Sequence, residues 1–210
     1  MDEEVFGLSP ATWMLFLTLT LIIVAVVQVC VYQQMHRTTK RVERAYVTIS
    51  HRHPFDGEGA LSFREPGAVW GAVEIKNEGR TPADILGGVV YIELAEEGGP
   101  SNSTMPSGHY VTIPPAFLVP RGYLRLQSLI FGFTDEQMAR VNGQPNTTEP
   151  TLGMWLAGFV IYRDRFGDEY CGGYGRRWDR NVRDLVFDAT TAALNYDRAP
   201  TEEQKRLGQP

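Results

Sequence analysis

The stretch VWGAVEIK, Val69 to Lys76, decides the fold class. Val69, Gly71, Val73 and Ile75 alternate with Trp70, Ala72, Glu74 and Lys76, and a period of two is the signature of a β-strand with one buried face. Outward from it, similar runs lie at Ala83 to Leu94, Tyr123 to Phe133 and Leu152 to Arg163, with shorter candidates at Tyr46 to Ser50 and His109 to Ile113. Turn-rich segments separate them: Asn77-EGRTP, Glu97-GGPSNSTMPSG, Pro114-Pro115, Pro120-Arg121-Gly122 and Asp164-RFGD. Short strands, frequent turns and no alternating long helices predict antiparallel sheets packed face to face. The expected fold of residues 45–189 is an all-β soluble domain, an immunoglobulin-like antiparallel β-sandwich of about seven strands.

One helix interrupts this pattern. Thr134 and Gln137 form a capping box, Phe133 and Met138 occupy the two positions of a hydrophobic staple, and Asn142-Gly143 supplies a stop. The segment 190–210 is expected to be unstructured, because DRAPTEEQKRLGQP after Tyr196 offers nothing to bury.

Ahead of the domain, Ala11 to Tyr32 reads ATWMLFLTLTLIIVAVVQVCVY, with no charged residue. As a helix it is about 33 Å long against a hydrocarbon core of about 30 Å, enough to cross with some tilt. Threonine hydroxyls can return to the helix's own carbonyls, and Trp13 and Tyr32 sit where amphipathic rings favour the interface. The acidic start MDEEVFGLSP and the exit VCVYQQM lack the basic n-region and small-residue exit of a cleavable signal, so an uncleaved anchor is expected.

Orientation follows from charge. Residues 1–10 carry Asp2, Glu3 and Glu4, whereas the linker 33–44 carries Arg37, Lys40, Arg41 and Arg44 with Glu43 as its only acid. Basic residues resist translocation, so the expected topology is single-pass in a bacterial inner membrane, N-terminus outside and C-terminal domain cytoplasmic. The same cluster can rest on anionic lipid headgroups. Cys30 in the span and Cys171 in the domain predict no disulfide, and the Asn146 sequon carries no meaning in a cytoplasmic or bacterial domain. From Ala45 onward there are 16 basic and 21 acidic side chains with no basic run beyond Arg176-Arg177, which argues against nucleic acid as a ligand. Arginine outnumbers lysine 17 to 3, a habit of GC-rich bacterial genomes.

Lys76-NEGRTPADIL followed by Ile161-YRDRFGDEYC resembles a pattern in uncharacterised bacterial proteins with one N-terminal span: strand, Asn-x-Gly-x-Thr-Pro-Ala turn, strand, and later a Tyr-x-Asp-x-Phe-Gly hairpin. The resemblance covers most of Ala45 to Trp178 and implies the fold, with no biochemical role to carry over. The continuation Cys171-GGYGRRW is glycine-rich where a plainer strand is expected. In the first motif Asn77 and Gly79 are suited to left-handed conformations, Pro82 fixes one dihedral, and the Thr81 hydroxyl can hold a backbone group. In the second, Asp164 to Asp168 reads as a hairpin with Gly167 at positive φ and Phe166 over the sheet edge. Both read as structural turns.

Candidate chemistry is sparse. His51 and His53 form H-x-H near Asp56, a set able to hold a metal if the loop folds around one. Asp164, Asp168 and Glu169 lack the spacing of a calcium loop. Cys171 has no catalytic histidine nearby in sequence and reads as a buried, inert thiol, with His109 an example of a partner that folding could bring to it. Cys171-GGYGRR lacks the GK[ST] ending of a phosphate loop, so no cofactor is expected. Two functional readings follow. The first is a membrane-anchored binding or scaffolding module, whose partners are the lipid bilayer and a protein not identified by the sequence; Trp70 is a candidate contact residue. The second is a membrane-tethered metal-dependent hydrolase built on His51, His53 and Asp56.

Overall fold

The computed structural model describes residues 10–52, 61–65, 68–95, 110–142, 152–182, 184–187 and 189–208. It falls into two compact units, the second beginning at Arg44. The first contains helix α1 (Pro10–Glu43). Its segment Ala11–Lys40 is long and apolar enough to cross a membrane. Large apolar side chains from Met14 to Val31 are exposed all round it, as a helix surrounded by hydrocarbon requires. Thr18 and Thr20 donate their hydroxyls to the carbonyl oxygens of Met14 and Phe16 at 2.7 and 2.8 Å, so neither leaves a polar group unpaired there. The helix continues beyond Tyr32 through the basic segment, where helical spacing gathers positions 37, 40 and 41 on one side.

The second unit is built from antiparallel strands. Its smaller sheet centres on β3 (Ala68–Asn77). One side of β3 pairs with β1 (Val47–Arg52) and β2 (Leu61–Glu65), the other with β7 (Tyr123–Gly132). The larger sheet centres on β4 (Ala83–Ala95), β8 (Gly153–Asp164) and β9 (Glu169–Asp179). Beyond β4 lie β5 (Tyr110–Ile113) and β6 (Ala116–Leu118), and beyond β9 lie β10 (Asp184–Val186) and β11 (Asp197–Arg198). One core joins the sheets: Val47, Ile75 and Phe131 from the smaller meet Val90, Leu156 and Tyr174 from the larger. Truncating one of these, for example Leu156→Ala, costs about 2–5 kcal/mol.

Helix α2 (Asp135–Asn142) follows β7. The Thr134 amide donates to Gln137 Oε1 at 2.9 Å and the Gln137 amide to Thr134 Oγ1 at 3.2 Å, a reciprocal capping box. Phe133 and Met138 both pack against the core.

The C-terminal segment differs from the sequence expectation. Instead of an unstructured tail, a 3-10 helix (Ala189–Leu194), β11 and helix α3 (Glu202–Leu207) follow in turn. Leu194, Tyr196 and Leu207 pack on a second cluster formed by Val89, Tyr91, Ala157, Phe159, Ile161 and Cys171, on the outer face of the larger sheet. That face is apolar because β8 reads MWLAGFVIY almost without polar interruption, so both of its faces need cover. The glycines of β9 make room for it. A β-carbon on Gly173 would come within 2.5 Å of the Leu194 carbonyl oxygen, and one on Gly175 within 2.6 Å of the Leu194 side chain. The glycine-rich sequence after Cys171 is therefore a strand stripped on one side to receive the tail.

Candidate functional site

Three turns gather at the end of the domain where the chain enters from Glu43. Glu78 donates its amide to the Tyr46 carbonyl oxygen at 2.7 Å, so the β3–β4 turn lies alongside the first residues of the domain. A side chain at Gly79 would run into the backbone of Arg44 to Tyr46, including the Arg44 oxygen at 2.6 Å, which reserves this position for glycine.

Asn77 ties the turns together. Fully buried, it donates from Nδ2 to the carbonyl oxygens of Thr81, Leu118 and Val119 at 2.8, 3.3 and 3.4 Å. Its Oδ1 accepts the Gly79 amide at 3.0 Å, and its carbonyl accepts the Arg121 amide at 2.8 Å. The β6–β7 turn is thereby stitched to the β3–β4 turn. Positive φ falls at Arg121, with φ of 61°, rather than at Asn77 or Gly79. A non-glycine residue there stores a modest strain, and here it holds an exposed arginine at a turn tip. Arg80, at the neighbouring tip, is exposed too.

No family model, curated protein or solved structure matches this chain.

The β8–β9 hairpin closes the same end, since Asp164 pairs with Ala83 next to Pro82. Asp164 Oδ1 accepts the amides of Phe166 and Asp168 at 2.8 and 3.1 Å, and Gly167 has φ of 85°. Two buried oxygens here, Asp164 Oδ2 and Thr81 Oγ1, make no hydrogen bond, so the Thr81 hydroxyl does not hold the backbone as the sequence suggests. Arg165 sits over the Phe166 ring, and Glu169 is held by Arg163 at 2.9 Å and Lys205 at 3.6 Å. The Arg163 hydrogen bond, against the cost of burial, keeps the Glu169 carboxyl below its usual range.

Arg44 departs from the juxtamembrane cluster to which sequence assigns it. Its guanidinium meets Asp197 Oδ2 at 2.6 Å and lies over the Tyr170 ring. Asp197 Oδ1 also accepts the Tyr162 hydroxyl at 3.0 Å. Burial, with Asp197 close by, raises the Tyr162 phenol far above its ordinary range and keeps it a neutral donor. The first residue of the domain is thus clamped to the C-terminal segment.

Of the metal candidate, only His51 falls among the described residues. His51 Nδ1 is 2.8 Å from the Tyr174 hydroxyl, and its Nε2 is 3.8 Å from Asp184. His53 and Asp56 lie outside the described residues, as do His109 and the Asn146 sequon. No group of three potential ligands occurs among the described residues. Cys171 is buried and its thiol is pushed up to about 11, chiefly by that burial. Trp70 is half-buried on β3, opposite Ile130. At the far end of the domain, Val141, Leu152, Met154, Arg177, Trp178 and Asp179 help to line a cavity of about 360 Å³. No local pattern marks it, because its walls come from four separate segments, Val186 of β10 supplying the last.

Proposed function

We propose that this chain is a single-pass, membrane-anchored β-sandwich module of immunoglobulin-like build, which holds a protein partner at the cytoplasmic face of a bacterial inner membrane. Support for the build comes from the shared core and from the pairing of β3 with β7 and β4 with β8, strands distant in sequence.

The binding role rests on β7. This strand of ten residues pairs with β3 on one side, and among the described residues no strand pairs with the other. Proteins usually blunt such an edge with lysine, proline or a covering segment. Here Tyr123 and Ile130 are exposed on it, with Tyr110 and Phe117 exposed on the neighbouring β5 and β6. An extended segment of a partner could add to that edge by main-chain hydrogen bonds and seat apolar side chains between those rings.

The test is a photo-cross-linking residue placed at Tyr123 in the full-length protein in cells. One discrete adduct is expected, abolished by Ile130→Lys, which puts a charge on the edge while leaving the buried face of β7 intact. An adduct pattern at Tyr123 that Ile130→Lys does not change would overturn the edge-binding reading.

A further inference from the structure

We infer that helix α1 joins two copies of this chain side by side in the bilayer, along a seam where Gln28 of each copy bonds Gln28 of the other. The inference rests on the membrane-anchored reading above and adds a partner to the anchor.

Depth supplies the first argument. Gln28 lies four residues before Tyr32, about 6 Å inside that end of the apolar run. Helical side chains tilt toward the N-terminus, which carries its carboxamide away from the nearer interface and deeper into the hydrocarbon. There its donors and its acceptor have no water to turn to. Thr18 and Thr20 escape this cost by bonding carbonyl oxygens of their own helix. Gln28 does not: it is exposed, and no hydrogen bond reaches it from the described residues.

Spacing supplies the second. Thr18, Leu21, Ala25, Gln28 and Tyr32 recur at intervals of three and four residues, which places them in one stripe along the helix. All of them are exposed. Thr18 and Ala25 are small enough to let a second backbone approach, the condition for close packing between helices in lipid. Cys30, two residues on and about 200° round from Gln28, is on the opposite face.

Symmetry decides the occupant. Ala11–Lys40 is the one candidate span among the described residues, so they offer no second membrane helix to serve Gln28. Copies inserted by one topology signal run parallel, whichever way that signal points, and therefore carry Gln28 at one depth. A carboxamide donates and accepts at once, so two of them across a two-fold axis satisfy each other reciprocally. A second copy supplies this complement by identity, whereas a helix of another protein must carry its own polar group at the same depth.

The experiment uses the full-length chain in the membranes of expressing cells, with thiols oxidised by copper phenanthroline and the products sized without reductant. Cys30→Ser with Ala25→Cys puts a thiol on the seam. The parent chain, with Cys30, has it on the opposite face, and Cys30→Ser alone checks that Cys171 contributes nothing. The expected result is a product of twice the chain mass from the seam thiol, in far higher yield than from Cys30. Gln28→Leu, which leaves the span apolar, should lower that yield about fivefold, and Gln28→Asn, which keeps a carboxamide, should restore most of it. Equal cross-linking from both faces, none at the seam, or a seam product that Gln28→Leu leaves unchanged overturns the inference with the anchor intact. A seam product of any other mass also overturns it, assigning Gln28 to a helix of another protein. A chain that alkaline carbonate washes out of the membrane overturns the anchor reading itself.

Discussion

At the scale of single residues, Asn77 shows how a turn motif can be legible while its job is not. The Asn-x-Gly-x-Thr-Pro pattern suggests left-handed residues, yet its asparagine is a buried hub joining two turns remote in sequence, and the positive φ belongs to Arg121. Nothing local to residues 77–82 encodes the carbonyls of Leu118 and Val119. Asn77→Ala leaves these buried acceptors unserved and should cost about 2–4 kcal/mol. Urea unfolding of the full chain in detergent should show the lowered midpoint; an unaltered midpoint would remove Asn77 as the hub. Cys171 gives a prediction in pH. Its folded-state value is about 11, raised by burial above an ordinary value of 9.0. A raised pKa stabilises the fold fully below the unfolded value, and that contribution, about 3 kcal/mol, disappears as pH climbs through the folded one. Stability should therefore fall between about pH 9 and 11. Cys171→Ala should flatten that limb of the profile, and an unchanged limb would show that other groups govern it. Burial also raises the Tyr91 phenol, to about 12, and those of Tyr162, Tyr174 and Tyr196 above their ordinary value of 10.0, so the decline should steepen above about pH 10 and the Cys171 contribution is read between about pH 9 and 10.

At the scale of elements, the long strands were readable because apolar periodicity survives in them, whereas the C-terminal cover was not. Thr134-Asp-Glu-Gln and Thr201-Glu-Glu-Gln carry the same capping signature, and both form reciprocal boxes. The first precedes Met138 and Val141, which mark a buried helix face; the second has only Leu207. The missing signal lay elsewhere, in the uninterrupted apolar run of β8 and the glycines of β9, which together require a covering layer. Ending the chain after Arg198 removes α3 and with it the Leu207 contact. Faster alkylation of Cys171 in the Cys30→Ser background is the expected consequence, together with increased binding of an apolar dye. Gly173→Val, which forces Leu194 and Tyr196 off the sheet, should do the same with α3 still present. If Cys171 stays as protected in both variants as in the parent, the tail does not guard that face.

At the scale of the whole molecule, composition separated a membrane segment from a β domain, and the structure divides the chain near the same place, at Arg44. The boundary residue was the hard part. By sequence Arg44 extends the cluster Arg37, Lys40 and Arg41; in space it belongs to the domain, bound to Asp197, a partner 153 residues away that no local pattern announces. The expected topology signal is then carried by the basic positions 37, 40 and 41 against the acids at positions 2–4. A reporter active only in the cytoplasm, fused after Pro210, should give signal in the parent chain, because cytoplasmic retention of basic residues outweighs weaker effects of acids. Replacing Arg37, Lys40 and Arg41 by glutamine and Asp2, Glu3 and Glu4 by lysine moves the positive excess to the other side of the span. That chain should lose the cytoplasmic signal and gain that of an exported reporter, with Arg44 unchanged. Retention of the cytoplasmic signal by the swapped chain would mean that folding of the domain, not the flanking charge, fixes the topology. An exported signal from the parent would place β7 on the outer side, so that its partner must be sought outside the cytoplasm.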